Sequence, residues 1–290
     1  MQYALLGLTA ETSLHAGTGR STGVIDLPIM RESHTGWPCV YGSAVKGALR
    51  GLAQSSQSTA IMDIFGPDTQ NASDHAGALA VGDARLLLLP VRSLSSHFKW
   101  VTCPALLRRA ATDANRLGIP NAVTYQGPTP NDATAIVPNN AQDSLFLEEF
   151  SFKQQQHDLG ALVAWLASFG GEGFAEQLNA QLAIVSDDMF AHLCTFATPV
   201  TPHIAIDNAR KAVKAGALWY EETLPPETVM YLTLAANPSR RKEAVVSAES
   251  ILRSTLDLFP AQRPYLQLGG NETVGMGWCR VQPVYCSVKE

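Results

Sequence analysis

The residues best suited to chemistry gather in the first fifty positions. His15, Arg20, Asp26, Arg31, Glu32, His34, Lys46 and Arg50 occur there among seven glycines. Asp26 sits in Val24-Ile25-Asp26-Leu27-Pro28-Ile29, where solubility does not call for a carboxylate. Such a group can act as a general base, a metal ligand or a positioning group, or it can cap a turn. His15 can shape its loop or simply be a satisfied hydrogen-bonding histidine. Lys46 and Arg50 lie four apart on one side of a helix. They can grip phosphates or form a solvated surface.

Two later segments add to these. Gly269-Gly270-Asn271-Glu272-Thr273-Val274-Gly275-Met276-Gly277 is glycine-rich. Clustered glycines let backbone N–H groups face an anion, or let two chains cross tightly with no ligand. The stretch has neither the dinucleotide nor the nucleoside-triphosphate glycine pattern. Arg210, Lys211 and Lys214 make a basic patch, followed by Trp219, Tyr220, Glu221 and Glu222. Cations beside aromatics suit phosphate contacts and base stacking; an exposed loop or a packing tongue is the plainer reading. Arg240-Arg241-Lys242 reads as a solvated loop. No nucleophile elbow, Ser-His-Asp arrangement or HExxH helix is present.

These groups need a scaffold. Strands are expected over Tyr3–Ala10, Ala84–Leu89, Phe98–Cys103, Leu145–Phe152, Leu182–Val185, Val229–Ala235, Tyr265–Leu268 and Cys279–Val284. Helices are expected from Ser43 as N-cap through Leu52, over Pro104–Leu117 with proline in its first turn, over Leu159–Phe169, after Ser186, and over Ser247–Leu258. Residues 118–143, rich in Gly, Pro, Asn and Thr, read as irregular. Val200–Tyr220 reads as a hairpin with a basic tip. Strands and helices mix without a regular βα period, which predicts an α+β fold.

Composition sets the outer limits. The chain has 290 residues, 46% hydrophobic and 16% charged. That charge share is well below the usual value of about 25%, which suggests a surface partly covered by other subunits. A net charge of −5 argues against a free-standing, non-specific nucleic-acid binder, though it leaves room for a local basic groove. The five cysteines form no CxxC pair, so neither a disulfide scaffold nor a structural zinc site is expected. No basic region precedes the first apolar stretch, and no apolar run is long enough to span a membrane. The cytoplasm is the expected compartment.

Three segments, in order, carry a resemblance. LHAGTGRSTGVIDLPIMRESHTGWPCVYGSAVKGALR, residues 14–50, resembles the opening of the RAMP superfamily, and within it the Cmr4 family, the repeated backbone subunit of type III-B CRISPR effector complexes. HIAIDNARKAVKAGALWYEETLP, residues 203–225, is similar to that family's thumb, and LQLGGNETVGMGWCRV, residues 266–281, to its glycine-rich loop. The resemblance implies a single domain on a ferredoxin-like, RRM-like core, with insertions near 54–80 and 104–143 and a thumb hairpin near 200–222. It implies copies stacked in a helical filament on guide RNA with other type III-B subunits. Thumbs then interrupt the guide–target duplex, and target RNA is cut at six-nucleotide intervals. Asp26 falls on the catalytic aspartate and His15 on the nearby histidine. Ser43 and Lys46 fall on guide contacts, with Arg50, Arg210, Lys211, Lys214, Tyr220 and the loop residues Gly269, Gly270, Asn271, Gly275 and Gly277 as further RNA contacts. Glu221 and Glu222 fall on a thumb acidic pair. A divalent ion, Mg2+ or Mn2+, would be held by Asp26 together with RNA phosphates. A non-cleaving structural subunit and a stand-alone guide-processing endoribonuclease are the alternatives.

Overall fold

The chain is described by a computed structural model covering residues 1–68, 74–120, 122–139, 143–241 and 245–288. Lys242 and part of the insertion expected near 54–80 lie outside these residues. In chain order the first elements are β1 (Gln2–Ala10), β2 (Cys39–Val40), α1 (Gly42–Ser55), α2 (Ile61–Phe65), β3 (Leu79–Val81) and β4 (Ala84–Arg92). Next come β5 (Phe98–Thr102), α3 (Pro104–Arg116), β6 (Thr134–Val137), β7 (Ser144–Leu147), β8 (Phe150–Gln156), α4 (Gly160–Ala167), α5 (Phe174–Gln181), β9 (Leu182–Ile184) and α6 (Asp187–Phe196). The last are β10 (Val200–Asp207), β11 (Ala212–Glu222), β12 (Val229–Ala236), α7 (Ala248–Leu256), β13 (Tyr265–Gln267) and β14 (Trp278–Cys286).

Four of these strands lie side by side in the order β14-β1-β12-β4, all antiparallel. With α1 following β1 and α7 following β12, the connection is β-α-β-β-α-β, the ferredoxin-like motif. The expected α+β class and core are therefore the observed ones. Alternate residues of β1 feed two cores. Ala4, Leu6 and Leu8 join Val45 and Leu49 of α1 and Ile251 and Leu252 of α7. Leu5 joins Leu107 of α3, Leu166 of α4 and Phe169 on the other side. A strand covered on both faces reads as a continuous apolar run, as Tyr3–Ala10 does.

β4 extends the architecture. Its first half pairs with β12 and its second half with β5, so one strand belongs to both halves of a larger sheet. Beyond β5 the order continues β9-β6-β8-β7.

Several local expectations need correcting. Ser43 does not cap α1: Tyr41 holds the N-cap position, and Asp83 Oδ1 accepts from Gly42 N at 2.7 Å. The cap comes from a distant carboxylate, which local sequence cannot show. Residues 118–143 are not wholly irregular, because β6 lies between β9 and β8. Leu145–Phe152 is not one strand: Glu148, at φ 49°, turns it into the β7–β8 hairpin. Ser186 and Ser247 do cap α6 and α7, accepting from Met189 N and Ser250 N. None of the described helices is long and apolar enough to cross a membrane.

Candidate active site at the base of the hairpin

β10 and β11 form a two-stranded sheet of their own. At the base of this hairpin the outer edge of β11 would be left unpaired, and the segment around Asp26 covers it. Leu27 N donates to Tyr220 O at 3.0 Å, and Glu222 N donates to Leu27 O at 3.0 Å, in a parallel bridge. Asp26 Oδ2 accepts from Tyr220 N at 2.8 Å. Asp26 Oδ1 has no partner among the described residues. The aspartate is thus half-buried and aimed, with one oxygen held and one open.

His15 is buried against the same hairpin base. Its Nδ1 lies 2.8 Å from Glu222 O. A carbonyl only accepts, so Nδ1 carries the proton of this bond. Nε2 lies over Gly17, where a Cβ would collide with it.

The acidic pair turns inward. Glu222 Oε2 accepts from Ile29 N at 3.1 Å, and Oε1 accepts from Arg31 at 2.5 Å and from Thr198 Oγ1 at 2.6 Å. Glu221 is also buried and accepts from the Asn271 amide. Both carboxylates tie the hairpin base to the molecule's body. That geometry makes them clamps at the hairpin base.

The glycine-rich loop closes the site from the other side. Gly270 N donates to His15 O at 2.8 Å, and Gly277 N donates to Ser13 O at 2.8 Å. The amides of Leu268, Val274, Gly275 and Met276 are likewise spent on backbone carbonyls. Gly269 and Gly277 have φ of 77° and 84°, and a Cβ on either would strike backbone oxygen, of His15 and Leu268 respectively. Gly275 also has positive φ, but faces open space, and Gly270 does not. The loop is built first as a tight chain crossing.

α1 presents three strips. Ala44 and Ala48 border a cavity of about 380 Å³ with Met30, Gly269 and Gly270. At 3.6 residues per turn, Lys46 and Arg50 fall on the opposite flank. Between them run Ser43, Gly47 and Gly51, all exposed, with open space over both glycines. Arg50 is not free to grip RNA as expected: it donates to Gly66 O and Pro67 O at 3.1 and 3.2 Å and pairs with Asp68 at 2.5 Å. Lys46 has no hydrogen bond or ion pair among the described residues. Burial first, then Arg50 and Arg240, push its pKa below the ordinary lysine value. Gly47 and Gly51 are set apart only by their exposure in the folded helix, which the sequence alone does not show.

At the hairpin tip, Asp207 Oδ1 accepts from Ala209 N and Arg210 N at 2.9 and 3.2 Å, and Lys211 turns the chain at φ 54°. Arg210, Lys211 and Lys214 are exposed there. Tyr220 sits at the base with its ring partly exposed and its backbone bonded to the Asp26 segment.

The profile of the RAMP superfamily matches residues 7–280. The chain belongs to the RAMP superfamily. Among similar proteins, the CRISPR system Cmr endoribonuclease Cmr4 of Pyrococcus furiosus is 35% identical over 288 residues, covering 97% of this chain and 95% of the relative. This RAMP chain therefore belongs to the Cmr4 family. The crystal structure of oligomeric Cmr4 from Pyrococcus furiosus superposes with a TM-score of 0.75 at 29% identity, covering 98% of this chain and 99% of that one. A chain in the cryo-EM structure of the type III-B Cmr-beta bound to cognate target RNA shares the fold, with a TM-score of 0.74 at 22% identity, and 97% of each chain is covered.

Proposed function

We propose that this protein is the repeated backbone subunit of a cytoplasmic type III-B CRISPR ribonucleoprotein, binding guide RNA and cutting complementary target RNA. The observation that carries the reading is the near-full-length likeness to a Cmr endoribonuclease. The open oxygen of Asp26 beside the hairpin supports it. Copies of the chain, other subunits of the complex, the guide RNA and the target RNA are its partners.

Ser43, Gly47 and Gly51 offer a flat strip on which a guide backbone can lie, with Lys46 on one flank as a phosphate contact. The hairpin, with Arg210, Lys211 and Lys214 at its tip, enters the guide–target duplex. Cleavage is attack of a ribose 2'-oxygen on the adjacent phosphorus, which closes a 2',3'-cyclic phosphate as the P–O5' bond breaks and the departing 5'-oxygen takes a proton from water. It depends on in-line geometry more than on a protein nucleophile. Asp26 Oδ1 takes the 2'-OH proton or positions that hydroxyl. His15, through Glu222 O and the Gly269–Gly270 crossing, keeps the floor of the site in place.

A divalent ion is a separate matter. Hard cations take six or more oxygens. The described residues contain no group of three metal-ligating side chains, and Asp26 offers one open oxygen. The described residues' own donors do not make a resident site.

Asp26→Asn keeps an acceptor for Tyr220 N while removing the charge. It should leave guide binding and assembly unchanged and reduce target cleavage at least 100-fold, within the range of a lost general base. Cleavage and gel-shift assays on the assembled complex test this. Normal cleavage would remove Asp26 from the chemistry and favour a non-cleaving role for this site.

A further inference from the structure

α1, α2 and α7 pack on one side of the sheet, with Leu49, Ile64 and Ile251 in the same core. Residues 237–241, which follow β12, lie against α2, because Asp63 pins them there. Asp63 is buried, and its Oδ1 accepts from Ser239 Oγ at 2.6 Å while Oδ2 accepts from Arg241 Nη1 at 3.3 Å. Ser239 N donates to Val246 O at 2.8 Å. Arg240 stands between the two latched residues. It is exposed, with no hydrogen bond or ion pair among the described residues.

The place it is held in is informative. Arg50 of α1 donates to Gly66 O and Pro67 O, just past α2, and Lys46 lies one turn back on the same flank. Arg240 comes near enough to Lys46 to help push that lysine's pKa down. Two unpaired cations from separate elements are thus brought together. Like charges disfavour each other, and an anion beside them reverses the balance. Two nearby carboxylates do not serve, since Asp63 is engaged by Ser239 and Arg241, and Asp68 by Arg50. By sequence Arg240 reads as part of a solvated loop. A solvated arginine needs no buried carboxylate holding the residues on either side of it.

We infer that Arg240 and Lys46 form one phosphate site, built from α1 and the segment after β12, for a single phosphodiester of the RNA lying along α1. This deepens the functional reading above and rests on it. Phosphate contacts fix position and orientation without reading bases. The guanidinium can take two phosphate oxygens in its fork, whereas the ammonium acts as a point charge.

The test is filter binding of single-stranded RNA to the full chain at several salt concentrations. One phosphate contact on a single strand contributes about 0.7 to the log–log salt slope, or about fivefold in affinity at 0.1 M salt. Arg240→Gln should lower affinity by about that factor and flatten the slope by about 0.7, alike for RNAs of unrelated sequence. Arg240→Lys should restore the slope. Arg92→Gln, which removes an exposed arginine paired with Glu148, should change neither quantity. A neutral methylphosphonate, moved one position at a time along the RNA, should weaken wild-type binding at particular positions, and Arg240→Gln should lose nothing further there. Arg240→Gln that binds with wild-type affinity and slope, while Lys46→Gln is impaired, overturns the shared site alone. A loss confined to one RNA sequence overturns phosphate as the ligand. Wild-type protein that binds no RNA overturns both the site and the functional reading.

Discussion

At the residue scale, Lys46 is the position where charge and burial disagree most usefully. Burial, then Arg50 and Arg240, hold its pKa below the usual lysine value in the free protein. A phosphate beside it would favour the charged form and raise that pKa again. Between the free and bound values, binding must take up a proton. Affinity for guide RNA is then expected to fall as pH rises through that alkaline window, and to show no such slope below it. Lys46→Arg, which stays charged, should flatten the slope while keeping the affinity. Filter binding across the alkaline range at fixed salt measures this. An identical slope in the two proteins would mean that Lys46 does not face phosphate. Asp26 and His15 stand out by type and spacing, a carboxylate in an apolar run and a histidine among glycines, but type and spacing left a turn cap and a satisfied histidine equally open, and their roles came from the family resemblance alone. The engagement of Arg50 was not readable: its carbonyl partners lie sixteen and seventeen residues on, in a turn whose course depends on α2.

At the element scale, α1 combines two conflicting demands. Glycine in an exposed helix position destabilises by about 0.5–1 kcal/mol relative to alanine, yet Gly47 and Gly51 both sit there with nothing above them. Gly47→Ala should therefore raise the unfolding midpoint by a small amount. Gly47→Gln should also be at least as stable as the native chain, but its longer side chain should weaken guide binding tenfold or more, since an RNA backbone lying on the strip would meet it. Thermal unfolding and gel shift on the same preparations separate the two effects. Full binding by Gly47→Gln would move the guide off this strip. Most elements were legible because their hydrophobic periods match the faces they bury, as in α3, β12 and α7. The misread ones share a cause. β6 is four residues in a polar stretch, and its strand character comes from its neighbours β8 and β9. α5 went unread because its N-cap is Gly173, at φ 77°, which offers no capping side chain, and only Phe174 and Leu178 of its residues are buried. The inward turn of Glu221 and Glu222 was also hidden, since it depends on Arg31, Thr198 and Asn271 arriving from three separate segments.

At the scale of the whole molecule, the body and the hairpin are energetically separable. The two cores draw on β1, β4, β12 and the helices, and include no residue of 200–220. Replacing 208–215 with an Asn-Gly turn should leave the urea midpoint of the free protein within experimental scatter. Guide affinity should drop moderately and target cleavage much more; equal small losses in both would make the hairpin a packing tongue. The bond from Tyr220 N to Asp26 Oδ2 and the Leu27 bridge carry a further meaning. They fasten the Asp26 carboxylate to the strand of the hairpin, whereas the exposed strip of Ser43, Gly47 and Gly51 on α1 belongs to the body. In a row of identical copies, the distance between cuts would then be measured off from one projecting strand to the next, as marks on a ruler. A variant that tilts every hairpin alike would slide all the cut positions together and keep the interval between them.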